Sequence, residues 1–246
     1  MSVLAGRPLE GQTVAVLGGS GRMGAAVAAE VIGLGAGALL IGRDQGSLER
    51  TAASLGKRTR TMVADASDED ELRRALLDHG SLDHIVVAVS AGARAGGIND
   101  TPPREAQAAF ARFWTSYAAL HLAPSVLPAH GSVTLISGSS ARTPALGAGV
   151  WTTLHGALEA LARAASVDLA PIRVNVVSPG GIGIAPDRQL VPRLGQPSDI
   201  GIAVAALIAS PAVTGAVLDV DSGERKGTWS GDRSPASEPA AGGVAR

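Results

Sequence analysis

Residues 13–30 read TVAVLGGSGRMGAAVAAE, and this stretch decides the fold. A short apolar, β-like run at residues 14–17 stops at a glycine cluster, Gly18, Gly19, Gly21 and Gly24. An Ala/Val-rich segment with helical periodicity follows. A strand that breaks at glycines and re-emerges as a helix aims backbone N–H groups and a positive helix end at one point, which suits a phosphate. In that strand–loop–helix context the glycines read as a dinucleotide-binding turn.

The rest of the chain repeats the alternation. Further strands are expected at residues 38–41, 61–64, 84–89, 133–137, 173–177 and 216–220. Helices are expected at 47–55, 68–77, 103–129 (disturbed by Pro124), 150–169 and from a Ser198 cap to about residue 209. Such alternation specifies an α/β fold: a doubly wound parallel sheet of about seven strands, helices on both faces, in one domain. Ligands in these sheets bind outside the carboxyl ends of the strands. The ends at 18–24, 42–44, 65, 90–92, 137–140 and 178–183 should therefore meet in one cleft. Residues 1–11 read as a loose lead-in to a domain spanning 1–223. Residues 224–246, polar with Gly, Ser and Pro, read as a disordered tail.

Composition sets the outer limits. The chain has 246 residues, 46% of them hydrophobic, enough for one sizeable core. A net charge of −1 leaves no electrostatic footprint for nucleic acid. No apolar run approaches membrane-spanning length, and residues 1–12 lack the apolar core of a signal peptide, so a soluble, cytoplasmic protein is expected. There is no cysteine, and five scattered histidines give no metal-ligand spacing. His79, His84 and His130 lie away from strand carboxyl ends and are expected at the surface.

Several motifs, in order, make the chain similar to the short-chain dehydrogenase/reductase family, whose fold is Rossmann-like. Gly18, Gly19, Ser20, Gly21, Arg22, Met23 and Gly24 resemble the cofactor loop. Asp65, followed by Ala66, resembles the adenine-contacting acid. Ser90, Ala91 and Gly92 resemble the Asn-Ala-Gly stretch after the fourth strand. The run RVNVVSPG at 173–180, ending Pro179-Gly180 and continuing Gly181-Ile182, is close to a family hallmark. The segments 195–200 and 220–223 resemble its C-terminal signature. The resemblance covers residues 11–223. It implies a nicotinamide cofactor, a small-molecule substrate, a lid near 182–197 and assembly as a homodimer or homotetramer.

The chain departs from the family where the chemistry should be. The family's Tyr and Lys positions hold Trp151 and His155, and its Ser position is Gly138, between Ser137 and Ser139. The sole tyrosine is Tyr117, and the only lysines are Lys57 and Lys226. The helical Asn falls near Thr115, a late Thr falls at Ile184, and Arg22 replaces a loop glycine. An indole N–H donates a hydrogen bond but exchanges no proton near neutral pH. Trp151 and His155, four apart on one helix, share a face, which points His155 into the cleft as ribose ligand, acid or base. Tyr117 is a candidate displaced acid, with helix-interface packing as the alternative. Ser137, Ser139 and Ser140 are candidate substrate contacts, with turn chemistry as the alternative.

The strand end Gly42-Arg43-Asp44 offers both signals for cofactor choice. Arg43 favours NADP(H), while Asp44 is the counter-signal for NAD(H). Arg22 either adds a phosphate contact or obstructs the site. Three functions stay open: an atypical NADP(H)-dependent oxidoreductase on a small or hydrophobic carbonyl or alcohol; a non-redox cyclase, dehydratase or isomerase; and a non-catalytic binding protein.

Overall fold

The strands alternate in what they bury, and this sets the layers. In β1 (Thr13–Leu17), Val14 and Val16 face one side while Ala15 and Leu17 face the other, all fully buried. The computed structural model describes residues 6–90, 96–182, 189–191 and 193–224. Within them β2 (Gly37–Gly42), β3 (Thr59–Val63), β4 (His84–Val87), β5 (Ser132–Ile136), β6 (Arg173–Pro179) and β7 (Val217–Val220) join β1 in one parallel sheet, ordered β3-β2-β1-β4-β5-β6-β7. Register runs without slip; Val14 lies between Ala38 of β2 and His84 of β4.

Helices cover both faces. On one side α1 (Arg22–Gly33) and α7 (Pro197–Ile208) pack on Val14, Val16, Leu40, Val86 and Val177. On the other, α3 (Glu69–Leu77), α5 (Ala111–Val126) and α6 (Gly149–Asp168) pack on Leu17, Ile41, Ile85, Leu135 and Val176. α2 (Gln45–Leu55) contributes Leu48, and α4 (Pro103–Ala109) leads into α5. Burying both faces of each central strand is the main stabilising contribution, about 25 cal/mol per Å² of apolar surface. Among the described residues no helix is long and apolar enough to cross a membrane.

Four local expectations change. The single helix at 103–129 is two, hinged at Phe110, where the chain turns so that Phe110 and Phe113 both reach the core. The second passes Pro124 and ends at Val126. α7 begins at Pro197, with Gln196 as its N-cap rather than Ser198; the Gln196 N–H donates to the Asp199 carboxylate at 2.8 Å. The lead-in is partly core, since Leu9 is fully buried and its N–H donates to the Leu34 carbonyl. Of residues 224–246, expected as a tail, Glu224 is anchored, its carboxylate accepting from the Gly181 N–H, and residues 225–246 lie outside the described residues.

His84 is not a surface residue. It is buried at the amino-terminal edge of the sheet, with Nδ1 2.8 Å from Ser132 Oγ and Nε2 2.8 Å from Gln12 Oε1. An amide oxygen only accepts, so Nε2 carries the proton and Nδ1 accepts from Ser132. The ring thus ties β4 to β5 and to the residue before β1. Burial first, and then the Arg173 charge, lower its pKa from 6.5 to about 4. The folded state keeps the ring neutral while the unfolded state protonates near 6.5, so stability falls as pH drops from about 6.5 toward 4. Denaturant unfolding of wild type at pH 7 and pH 5 should lose about 2 kcal/mol more than unfolding of His84→Gln. Equal pH dependence in the two proteins would refute a buried neutral His84.

Candidate functional site

A cleft of about 1130 Å³ opens at the carboxyl ends of the strands. Its floor is the glycine loop. Gly18 has φ +79°, and an added Cβ would lie 2.8 Å from the Ala88 carbonyl oxygen. A Cβ at Gly24 would strike the Gly18 carbonyl, so only glycine lets α1 start against the end of β1. Gly21 caps α1 with no side-chain hydrogen bond. The first N–H groups of the helix therefore have no side-chain partner where Ser20, Gly21, Arg22 and Met23 line the cleft. The Arg22 side chain is exposed at the rim.

Beside the loop, Gly42 ends β2 and offers no carboxylate. Asp44 caps α2, its Oδ1 accepting from the Ser47 N–H at 2.7 Å. Arg43 is 74% exposed along its side chain and lies 3.9 Å from Asp65. Asp65 accepts from the Ser67 N–H and Oγ at 2.9 and 2.7 Å; these bonds, with Arg43 adding, hold its pKa below the usual range. Ala66 and Ser90 line the same wall. Ala91, Gly92 and Ile184 lie outside the described residues. Across the cleft stand Pro179, Gly180, Gly181 and Ile182. There the Glu224 carboxylate accepts from the Gly181 N–H at 3.0 Å and from Ser139 Oγ at 3.3 Å.

Between these walls sits His155, seated against Gly138. An added Cβ at 138 would lie 2.5 Å from the imidazole Cε1, so the glycine at the family's Ser position is what admits the ring. Its Nε2 lies 3.5 Å from Arg112 Nη1, and its Nδ1 2.9 Å from Ser140 Oγ. A guanidinium only donates, so Nε2 accepts, Nδ1 carries the proton and donates to Ser140, and the Ser140 hydroxyl hydrogen is left for a ligand. Burial first, then the Arg112 charge, bring His155 from 6.5 to about 4. At neutral pH the ring is therefore neutral, the form in which an imidazole serves as a hydrogen-bond partner or a base. Trp151 stacks on it at 6.2 Å but packs toward the core and is not among the cleft-lining residues.

Tyr117 does not belong to the cleft. It is half exposed on the outer face of α5, in edge contact with Trp114, because the α5 register puts Arg112 and Thr115 on the cleft side. The sequence reading missed Arg112. Its Nη2 donates to the Ile136 carbonyl, which ends β5. One helical turn before the family's Asn position was the signal available. A second missed residue is Arg142, which pairs with buried Glu159 and with Asp219 and donates to Ser178 Oγ at 2.9 Å. Glu159 also accepts from Ser137 Oγ at 3.1 Å. This network fastens the 3-10 turn Ser139–Ala141 to α6, β6 and β7. Among the described residues no cluster of His, Asp or Glu could hold a metal ion.

The family profile for enoyl-(acyl carrier protein) reductases matches residues 20–224. The short-chain dehydrogenase/reductase ATR9 of Stachybotrys chlorohalonatus is 27% identical over 87% of this chain and 97% of its own. The MalC reductase/Diels-Alderase of Malbranchea aurantiaca superposes with a TM-score of 0.81 at 26% identity, covering 88% of this chain and 96% of that one. A blue fluorescent protein from a metagenomic library, solved with NADPH, superposes at 0.80 with 25% identity, covering 88% and 99%.

Replacing Gly138 tests the seat of the ring. Gly138→Ala should expel His155 from the cleft wall. Its titration, followed by the NMR shift of the Cε1 proton, then moves from about 4 back toward 6.5. An unchanged titration would show that the ring does not depend on the bare backbone at 138.

Proposed function

The chain belongs to the short-chain dehydrogenase/reductase family, and from that membership we propose that it is an NADP(H)-dependent oxidoreductase acting on a small or hydrophobic carbonyl or alcohol without a Tyr–Lys pair. One observation carries the reading: the glycine loop, the Arg43–Asp65 wall and the Arg112–His155–Ser140 cluster line one continuous cleft. Members of the family bind nicotinamide cofactors, and the residues here fit one. The uncapped start of α1 with Gly18, Ser20, Gly21, Arg22, Met23 and Gly24 would hold the pyrophosphate. Asp65 and Ala66 would hold the adenine half, and Ser90 with residues 179–182 the nicotinamide half. Bound there, the cofactor supplies or accepts a hydride.

The chain's own groups do the rest. Ser140, oriented by the His155 Nδ1–H, holds its hydroxyl hydrogen toward the substrate oxygen. No phenol stands among the described lining residues, so turnover should be ~100- to 10,000-fold below that of an enzyme with a positioned acid. Asp44 is engaged in capping α2 and Gly42 carries no acid, which leaves Arg43 to face a 2′-phosphate. Assembly as a homodimer or homotetramer belongs to the same proposal.

The absent phenol favours a second reading, a non-redox catalyst on the same scaffold. The fungal neighbour described as both reductase and Diels-Alderase shows that one protein of this fold carries both descriptions. Calorimetric titration with NADPH and NADH, followed by a carbonyl panel, separates the two readings. Wild type should bind NADPH at least ~10-fold tighter than NADH, and Arg43→Ala should lose that preference while keeping NADH. Substrate conversion that survives removal of all nicotinamide would move the assignment to the non-redox reading.

A further inference from the structure

Arg112 is a cation without an anion. Its guanidinium is part-buried in the cleft, and among the described residues its hydrogen-bond partners are the Ile136 carbonyl and the neutral His155 ring. Among the described residues it forms no ion pair. Burial alone lowers its pKa from 12.5 to about 10, with no carboxylate acting the other way. The contrast with Arg142 is direct: that arginine, at the end of the turn after β5, is matched by Glu159 and Asp219.

The distribution of acids in the cleft sharpens the point. The described lining residues include two carboxylates, Asp44 and Asp65. Both lie at the β2–β3 end, and both are engaged, with Ser47 and with Ser67 and Arg43. At the β5–β6 end, where Ser140 and His155 stand, the only charged lining residue among those described is Arg112, and the carboxylates behind that wall are engaged elsewhere, Glu224 by Gly181 and Ser139 and Glu159 by Arg142 and Ser137. A desolvated charge left unmatched is costly, and a guanidinium retains N–H donors on Nη1, Nη2 and Nε beyond the two bonds it makes here. Their planar fork matches a carboxylate in two parallel bonds, which a lysine ammonium cannot do.

We infer that Arg112 anchors a carboxylate on the substrate, so that the cleft takes carboxylate-bearing carbonyl compounds and the hydroxy acids related to them. This rests on the oxidoreductase reading for the carbonyl, but the anion site stands on Arg112 itself. The Arg112 fork holds the acid end while Ser140, on the other side of the His155 ring, meets the carbonyl oxygen. Arg112 is thus a specificity-determining residue for the substrate, distinct from the arginines at the cofactor rim.

The test uses the full chain, titrated calorimetrically with and without saturating NADPH. The probes are 2-oxo acids from pyruvate to phenylpyruvate, each beside its methyl ester. At least one acid should bind wild type ten-fold or more tighter than its ester. Arg112→Gln should abolish the difference, and Arg112→Lys should restore part of it. NADPH affinity should stay within about two-fold in both variants, which also reports that they are folded. Equal binding of acids and esters, no binding of any acid, or discrimination that survives in Arg112→Gln would overturn the assignment. Loss of NADPH binding in Arg112→Gln would overturn it in favour of a cofactor role for the guanidinium. Failure of wild type to bind NADPH, with acid discrimination intact, would sink the oxidoreductase reading and leave the carboxylate site standing.

Discussion

The contact between Gly24 and the Gly18 carbonyl governs the carboxyl edge of this sheet. With no Cβ at 24, α1 begins directly over the end of β1 and its unpaired N–H groups reach the cleft floor. The same close approach sets the height of α1, and α7 then packs against it at Gly201, where an added Cβ would lie 2.6 Å from the Ala26 carbonyl oxygen. Two bare backbone positions therefore fix the layer that supports the glycine loop. Displacing either would tilt α1 away from its ligand face before any side chain in the cleft had changed.

On the other layer, charge is the organising term. Arg142 is matched by two carboxylates and a hydroxyl and holds the turn after β5 in place. Arg112, reaching the same turn from α5, is met by a carbonyl and a neutral imidazole. One arginine is spent on structure, the other is left facing the cleft. His155 separates the guanidinium from Ser140, and its ring reaches that place because position 138 is glycine. The bare backbone at 138 makes room for the ring at 155, and the charge beside that ring comes from α5 rather than from α6.

Much of this was legible in the chain. Short apolar runs between helical stretches announce a parallel sheet with two covered faces, and each strand end names a segment of the cleft wall. His155 was legible from its spacing to Trp151. The readings that changed share one cause, which is that side-chain direction depends on neighbours far away in sequence. His84 is adjacent to a surface loop in sequence, yet it is enclosed by Gln12, just before β1, and by Ser132 of β5. Tyr117 and Arg112 lie five residues apart on α5, and only the packing of that helix on α3 and α6 decides which one sees the cleft.

The sequence by itself determined the layer order, the glycine loop, the line of strand ends and the absence of a Tyr–Lys pair, because these follow from local periodicity, backbone permissiveness and residue identity. Only the tertiary structure decided that Asp44 is occupied as a helix cap, that the imidazole of His155 is held neutral, and that Arg112 rather than a lysine brings positive charge to the inner cleft. Each of these depends on burial and on partners from other elements. Burial sets the cost of a charge, and a partner's position sets whether that cost is met.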